Sequence, residues 1–232
     1  MVMFANIFLC TALSYLVGCF SPSYLIGKKR GYDPRESGSG NAGASNTIIM
    51  AGKKAGALVA LLDILKAALC WRLAPILFPG IMLRGVKLAS QLAGVACILG
   101  HMFPVFLGFR GGKGFACMGG CVIGYSPKVF LALLAAALLI AFITNYVCIS
   151  TCCISVIWPI TFGVTSSNLP GTLLLLAVAP SIIFRHRQNF RRIREGKEAR
   201  FSYLWRKEEE LARLGVGEMP SESESDKADS EY

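Results

Sequence analysis

Residues 128–165 read KVFLALLAAALLIAFITNYVCISTCCISVIWPITFGVT, an apolar stretch whose only formal charge is Lys128. It is too long for one membrane crossing, which takes about 20 residues in a range of roughly 17–25. The triplet Thr144-Asn145-Tyr146 splits it into two segments of crossing length. Two adjacent segments of this kind predict an integral membrane protein.

The rest of the chain follows the same rule. Further apolar runs fall at 2–27, 48–78, 86–107, 114–125 and 169–184, with Ser166-Ser167-Asn168-Leu169-Pro170-Gly171 as the turn before the last. The 48–78 run carries Lys53, Lys54, Asp63, Lys66 and Arg72. The 114–125 run is short enough to be a half-span or a tilted helix. The expectation is an all-α fold of about seven transmembrane helices. Residues 1–20 contain no Lys or Arg, so the first run reads as a membrane helix and not as a cleaved leader.

Composition agrees. Only 16% of the 232 residues are charged and 54% are hydrophobic, against about 25% charged in soluble proteins. The net charge of +10 is then a matter of basic loops beside anionic lipid, and nucleic acid is not an expected partner. The loops after the first, third and seventh apolar runs hold Lys28, Lys29, Arg30 and Arg35; Arg110 and Lys113; and Arg185, Arg187, Arg191, Arg192, Arg194, Lys197 and Arg200. The other side has Arg84, Lys87 and Lys128. This bias places the C-terminus in the cytoplasm and the N-terminus outside. Residues 1–200 read as the membrane domain and 201–214 as a cytoplasmic surface helix. Residues 215–232 read as an acidic, serine-rich tail with nothing to bury, hence disordered.

The nine cysteines include no CxxC pair, and most lie in or beside apolar runs. They read as small packing residues, with neither a metal site nor a disulfide framework expected.

Three polar segments fall on the basic side. The first is Asp33-Pro34-Arg35-Glu36-Ser37-Gly38-Ser39-Gly40-Asn41-Ala42-Gly43-Ala44-Ser45-Asn46. Its glycines allow left-handed backbone and close approach to a ligand, and successive amides in such a turn cup an anion. A helix starting after Asn46 would add its positive end. The second is Gly100-His101-Met102-Phe103-Pro104 followed by Phe109-Arg110-Gly111-Gly112-Lys113-Gly114, a phosphate-type turn with a lysine. It is not a Walker A loop, which needs Ser or Thr after the lysine. The third, Arg185 to Glu198, places His186 and Asn189 three apart on one helical face. Together they describe anion-binding groups gathered at one lipid boundary.

Gly38-Ser39-Gly40-Asn41-x-Gly43-Ala44-x-Asn46, Gly100-His101-x-Phe103-Pro104 with Gly111-Gly112-Lys113-Gly114, and His186-Arg187-x-Asn189 with Gly196-x-Glu198 resemble the three cytoplasmic motifs of the PlsY family, bacterial acyl-phosphate:glycerol-3-phosphate acyltransferases. Asp63 and Lys66 fit the family pattern as well. The resemblance spans about residues 5–200. It implies a seven-helix membrane domain in the bacterial inner membrane, with the active site at its cytoplasmic face. The implied reaction joins an acyl chain from acyl phosphate to glycerol 3-phosphate, giving lysophosphatidic acid and inorganic phosphate, with no cofactor and no metal. It implies catalytic roles for His186, Asn189 and Ser39. Substrate binding falls to Arg35, Gly38, Gly40, Asn41, Asn46, Gly111, Gly112, Lys113 and Gly114, and a structural role to Glu198. Gly18-Cys19, Ser45, Met50 and Cys117 depart from the family's usual residues.

The HxxxxD pattern of the common glycerophosphate acyltransferases is absent, since Phe106 and Arg191 stand five residues after the two histidines. A transporter would place its polar groups at the midplane. Here only Asp63 and Lys66 are candidates for that position, and their spacing lets them pair with each other.

Overall fold

The computed structural model describes residues 2–206 together with 209, 210 and 213. The tail expected over 215–232 lies outside the described residues. The helices are α1 (Val2–Cys19), α2 (Pro22–Lys29), α3 (Ala44–Leu77), α4 (Ala89–Met102), α5 (Phe115–Tyr125), α6 (Pro127–Thr144), α7 (Val147–Ser166), α8 (Leu169–Leu176), α9 (Ala179–Arg185) and α10 (Arg187–Arg194). A two-residue hairpin, β1 (Met82–Leu83) and β2 (Val86–Lys87), joins α3 to α4. It pairs Met82 with Lys87 and Leu83 with Val86. Its two loop residues, Arg84 and Gly85, both take positive φ, as a tight hairpin turn requires.

The divisions follow local chemistry. Three helices begin with a polar cap and a proline in the first turn. Ser21 caps α2 before Pro22, Ser126 caps α6 before Pro127, and Asn168 caps α8 before Pro170. Proline has no N–H to lose there, and the cap oxygen takes an otherwise orphan donor. The Ser126 cap and the Asn145 left-handed C-cap bound the helix cut from the opening apolar stretch.

Among the described residues, four segments are long and apolar enough to cross a membrane: Val2–Lys29, Ala89–Leu107, Pro127–Thr144 and Val147–Ser166. A fifth is the pair Leu169–Arg185 and Arg187–Arg194, bent by 42° at His186. The long α3 falls outside this set because it carries Lys53, Lys54, Asp63, Lys66 and Arg72, and α5, at 11 residues, is shorter than a usual crossing. The outward faces suit lipid: Leu131, Leu138, Leu139, Phe142 and Ile143 of α6 are all exposed, as are Phe4 and Phe8 of α1.

Packing is close where glycines meet backbone. A Cβ on Gly18 would sit 2.2 Å from the Cys97 carbonyl oxygen, and one on Gly100 would sit 2.1 Å from that of Tyr15. Helices α1 and α4 therefore touch backbone to backbone, the small-residue contact typical of membrane bundles. Trp71, Tyr125, Trp158 and Phe162 form a cluster of edge-to-face and tilted rings with centroids 5.0–6.3 Å apart. All nine cysteines are free and seven are buried.

Of the helix expected over 201–214, the described part opens as a 3-10 turn (Phe201–Leu204) and is helical at Glu209, Glu210 and Arg213. Trp205 is a turn residue and Arg206 has no regular structure, so the helix is broken there; residues 207, 208, 211, 212 and 214 lie outside the described residues.

Candidate active site

The three polar segments meet at one end of the bundle. The Arg35 guanidinium donates to the Leu107 carbonyl at 2.9 Å, and Arg110 donates to the Arg35 carbonyl at 2.9 Å. Lys113 donates to Asn189 Oδ1 at 2.7 Å. The opposite end is joined separately, by Asn168 Nδ2 donating to the Lys87 carbonyl and Tyr125 bonding Thr165.

The first segment is shaped by Asn46, which is fully buried. Its Oδ1 accepts from the Ser39 amide at 2.7 Å, and its Nδ2 donates to the carbonyls of Pro34 (2.9 Å) and Ser37 (3.0 Å). Both side-chain amide protons are thus used, so the Asn46 side chain acts here as the loop's organiser. Gly38 and Gly40 take φ of 60° and 69°, which glycine adopts without a Cβ clash. Ser39 and Asn41 are half-buried on this loop. The helix starts at Ala44 with Gly43 as N-cap, three residues earlier than the sequence suggests, so Asn46 lies in its first turn. Arg35 is not free. Its Nε and Nη2 lie 2.5–3.0 Å from the Asp33 carboxylate, and it stacks on the Tyr24 ring at 5.2 Å. The hydrogen bond and charge of Arg35 hold the Asp33 carboxyl below its usual range.

The second segment corrects an expectation. The amides of Gly111 and Gly112 donate to the carbonyls of Met102 and His101, so they are turned inward and not toward a phosphate. Their lack of side chains serves packing: a Cβ on Gly112 would lie 2.1 Å from His101 Nε2. The carbonyls of Gly111 and Gly112 accept from Arg185. The turn thereby delivers Lys113, then Gly114 as the left-handed N-cap (φ 90°) of α5. The helices α3 and α5 both begin here, and a Cβ on Gly43 would come 4.0 Å from the Gly112 Cα. Each helix start carries first-turn N–H groups without intrahelical partners, and with Lys113 these form a corner of donors whose chemistry suits an anion. Burial pushes the Lys113 ammonium down to about 8, with Arg192 adding to the effect.

The third segment is held by Glu198, which is buried. Its Oε1 accepts from Asn189 Nδ2 at 2.5 Å and its Oε2 from Arg192 Nε at 2.6 Å. Asn189 thus stands between a carboxylate and the Lys113 ammonium. His186 joins α9 to α10 and is buried. Its Nδ1 lies 2.9 Å from the Ile182 carbonyl. That oxygen only accepts, so Nδ1 carries the proton and Nε2 keeps its lone pair. Burial pushes the His186 imidazole down to about 4.

Behind the second segment Asp63, Lys66 and His101 form a buried cluster that the sequence shows only as a pair. Lys66 Nζ lies 2.7 Å from Asp63 Oδ1 and 3.3 Å from His101 Nδ1. It also donates to the carbonyls of Gly18 (3.0 Å) and Phe20 (2.6 Å), closing the end of α1. Asp63, His101 and Cys117 bring their ligating atoms within 4.8 Å of one another. The expectation that no such set exists is therefore corrected. These residues do not fit a metal ion, because the Lys66 ammonium already supplies the positive charge beside Asp63 and His101. Arg185 and Arg192 were also hidden in the sequence, since retention of positive charge explains every arginine after a last span equally well.

The family profile described as Glycerol-3-phosphate acyltransferase matches residues 8–196. A glycerol-3-phosphate acyltransferase of Geobacillus kaustophilus is 39% identical over 182 residues, 78% of this chain and 89% of that protein. One from Bacillus subtilis is 36% identical over 194 residues, covering 83% and 96%. The structure is similar to the crystal structure of PlsY (YgiH), an integral membrane glycerol 3-phosphate acyltransferase, in its glycerol 3-phosphate form. The TM-score is 0.76 at 34% identity, covering 85% of this chain and 96% of that one. The lysophosphatidic acid form of the same protein gives a TM-score of 0.74 at 33% identity.

Proposed function

We propose that this chain, which belongs to the glycerol-3-phosphate acyltransferase family, takes its acyl group from acyl phosphate and releases inorganic phosphate as it forms lysophosphatidic acid. The family and the two ligand forms of its structural neighbour support acyl transfer to glycerol 3-phosphate by a membrane enzyme. The single observation that carries the site is the line Lys113–Asn189–Glu198, which ties the glycine-rich turn to the helix after the last span.

In this reading seven segments cross the bilayer: α1 with α2, α3, α4, α5, α6, α7, and α8 with α9. The N-terminus is outside, and the site lies at the cytoplasmic face of the bacterial inner membrane. The membrane domain ends near residue 200. The positive-inside bias supports the orientation, and the meeting of all three basic segments at one end supports a single face.

The chemistry needs no nucleophilic side chain. The glycerol hydroxyl oxygen attacks the acyl carbon, the carbon–oxygen bond of the mixed anhydride breaks, and phosphate leaves with the bonding pair. Lys113 and the starts of α3 and α5 stabilise the phosphoryl charge that grows during this step. Arg35 and Ser39 hold a phosphorylated substrate from the facing loop, on which Gly38, Gly40 and Asn41 shape the backbone. The hydroxyl proton goes to a substrate phosphate, whose second pKa near 6 makes it a stronger base than His186 at about 4. His186 Nε2 and Asn189 orient the hydroxyl.

Purified protein in lipid, given glycerol 3-phosphate with palmitoyl phosphate or with palmitoyl-CoA, tests the donor. Phosphate and lysophosphatidic acid are expected from the acyl phosphate alone. Equal or greater turnover from the thioester would refute the donor assignment.

A further inference from the structure

The family match ends at residue 196, yet the chain beyond it folds back onto the site. The amide of Phe201 donates to the Asn145 carbonyl at 2.7 Å, and the Ser202 amide donates to Asn145 Oδ1 at 2.8 Å. Asn145 Nδ2 returns a bond to Ser202 Oγ. Trp205 packs on Phe142 and on Phe201, with centroids 6.4 and 5.4 Å apart. The segment is thus pinned to the turn between α6 and α7. It then comes back: the Arg213 guanidinium donates to the carbonyls of Gly196 and of Glu198, the latter at 2.6 Å. Glu210, itself buried, holds that guanidinium at 2.5 Å.

We infer that Arg213 is a positioning residue: residues 199–206, with Glu210 and Arg213, act as a strap that fixes the Glu198 backbone from beyond the matched residues and so sets the line from Glu198 through Asn189 to Lys113. This rests on the reading that Lys113 and Asn189 face a phosphorylated substrate. Among the described residues Arg213 bonds the backbone at Gly196 and Glu198 and the Glu210 carboxylate, so its effect passes through the Glu198 carboxylate. That carboxylate has two bonds to keep, to Asn189 and to Arg192, and a small backbone shift loosens both. Charge follows geometry. The charged and titratable groups facing Lys113 include Arg192, Arg185, Glu198, Cys148 and His186; Arg192 and Arg185 lower its pKa, and Glu198 and Cys148 raise it. Moving Glu198 away leaves the arginines less opposed.

The test is steady-state kinetics of the full-length protein in lipid, with palmitoyl phosphate and varied glycerol 3-phosphate, across pH. Arg213→Ala is expected to raise KM about fivefold, one hydrogen bond's strength, with kcat within about twofold. The alkaline limb of kcat/KM set by Lys113 should move to lower pH, and Arg213→Lys should restore part of both. Unchanged KM and an unmoved limb would overturn the strap. So would a lowered melting temperature with lowered kcat alone, since that marks an ordinary brace. Should Arg213→Ala not accumulate, Asn145→Ala frees the other anchor and decides by the same readouts. Lys113→Ala is run beside them. If it leaves KM unchanged, the substrate-site reading itself fails; if it raises KM while the strap variants do not, only the strap fails.

Discussion

Lys113 Nζ and Asn189 Oδ1 lie 2.7 Å apart, although 76 residues separate them in the chain. The contact couples the turn that begins α5 to the helix that follows the last apolar segment. Because Asn189 is itself held by Glu198, the ammonium is aimed by packing and not by its own flexible stem.

Replacing Lys113 by Met removes this aimed charge and keeps the stem. A charge-assisted hydrogen bond is worth about 1.5–3 kcal/mol, so kcat/KM should fall between roughly tenfold and a hundredfold or slightly more. In the parent enzyme kcat/KM should decline above about pH 8 as the ammonium loses its proton. Lys113→Met should lack that limb. A pH–rate series on both proteins measures it.

His186 titrates at about 4 in the fold and near 6.5 when unfolded. Between these values the unfolded chain takes the proton first. Stability is therefore full above about pH 6.5 and declines as pH falls toward 4, by roughly 3 kcal/mol from this group. Denaturant melts at pH 7 and pH 4.5 should show a loss that is smaller in His186→Gln. The same value predicts no inflection in kcat near 6.5 from this imidazole. His186→Ala should lower kcat/KM about tenfold or more, through lost orientation of the hydroxyl.

Asp63→Asn leaves the buried Lys66 ammonium without its carboxylate partner. Breaking a buried pair from one side costs about 3–5 kcal/mol. The variant should melt much earlier than the parent in the same detergent. An Asp63→Asn, Lys66→Met double variant should recover part of the loss.

Gly112→Ala sets a Cβ 2.1 Å from His101 Nε2. The ring is walled in by Asp63 and Lys66, so the turn must move, and Lys113 with it. Activity should drop at least about tenfold, while Gly100→Ala, at the α1–α4 contact, should mainly lower the melting temperature, by about 1–3 kcal/mol in stability. Activity and melting measured on both separate the two effects.

The membrane helices were legible from the sequence because length, turn residues and N-cap prolines act locally. Thr144-Asn145-Tyr146 marks its own break, and so does Ser166 to Gly171. Interruptions inside the apolar runs were less legible: α1 yields to α2 at Phe20-Ser21, and α8 to α9 at Ala177-Val178, with little change in hydropathy. At the site, the sequence named the three segments that meet but not which groups face inward. Asn46, Gly111 and Gly112 look like ligand contacts by type, yet their polar groups close their own loops. Arg185, Lys66 and His101 act through contacts 35–74 residues away, which no local pattern encodes.

Helix α9 ends at Arg185, and the chain turns through 42° at His186 with no loop between. The histidine's height is therefore set by the span beneath it. On the proposed reading the bilayer acts as a ruler: hydrocarbon thickness fixes how far this ring stands from the acyl chains it must meet. Membranes of different lipid length would then tune turnover without touching a single residue.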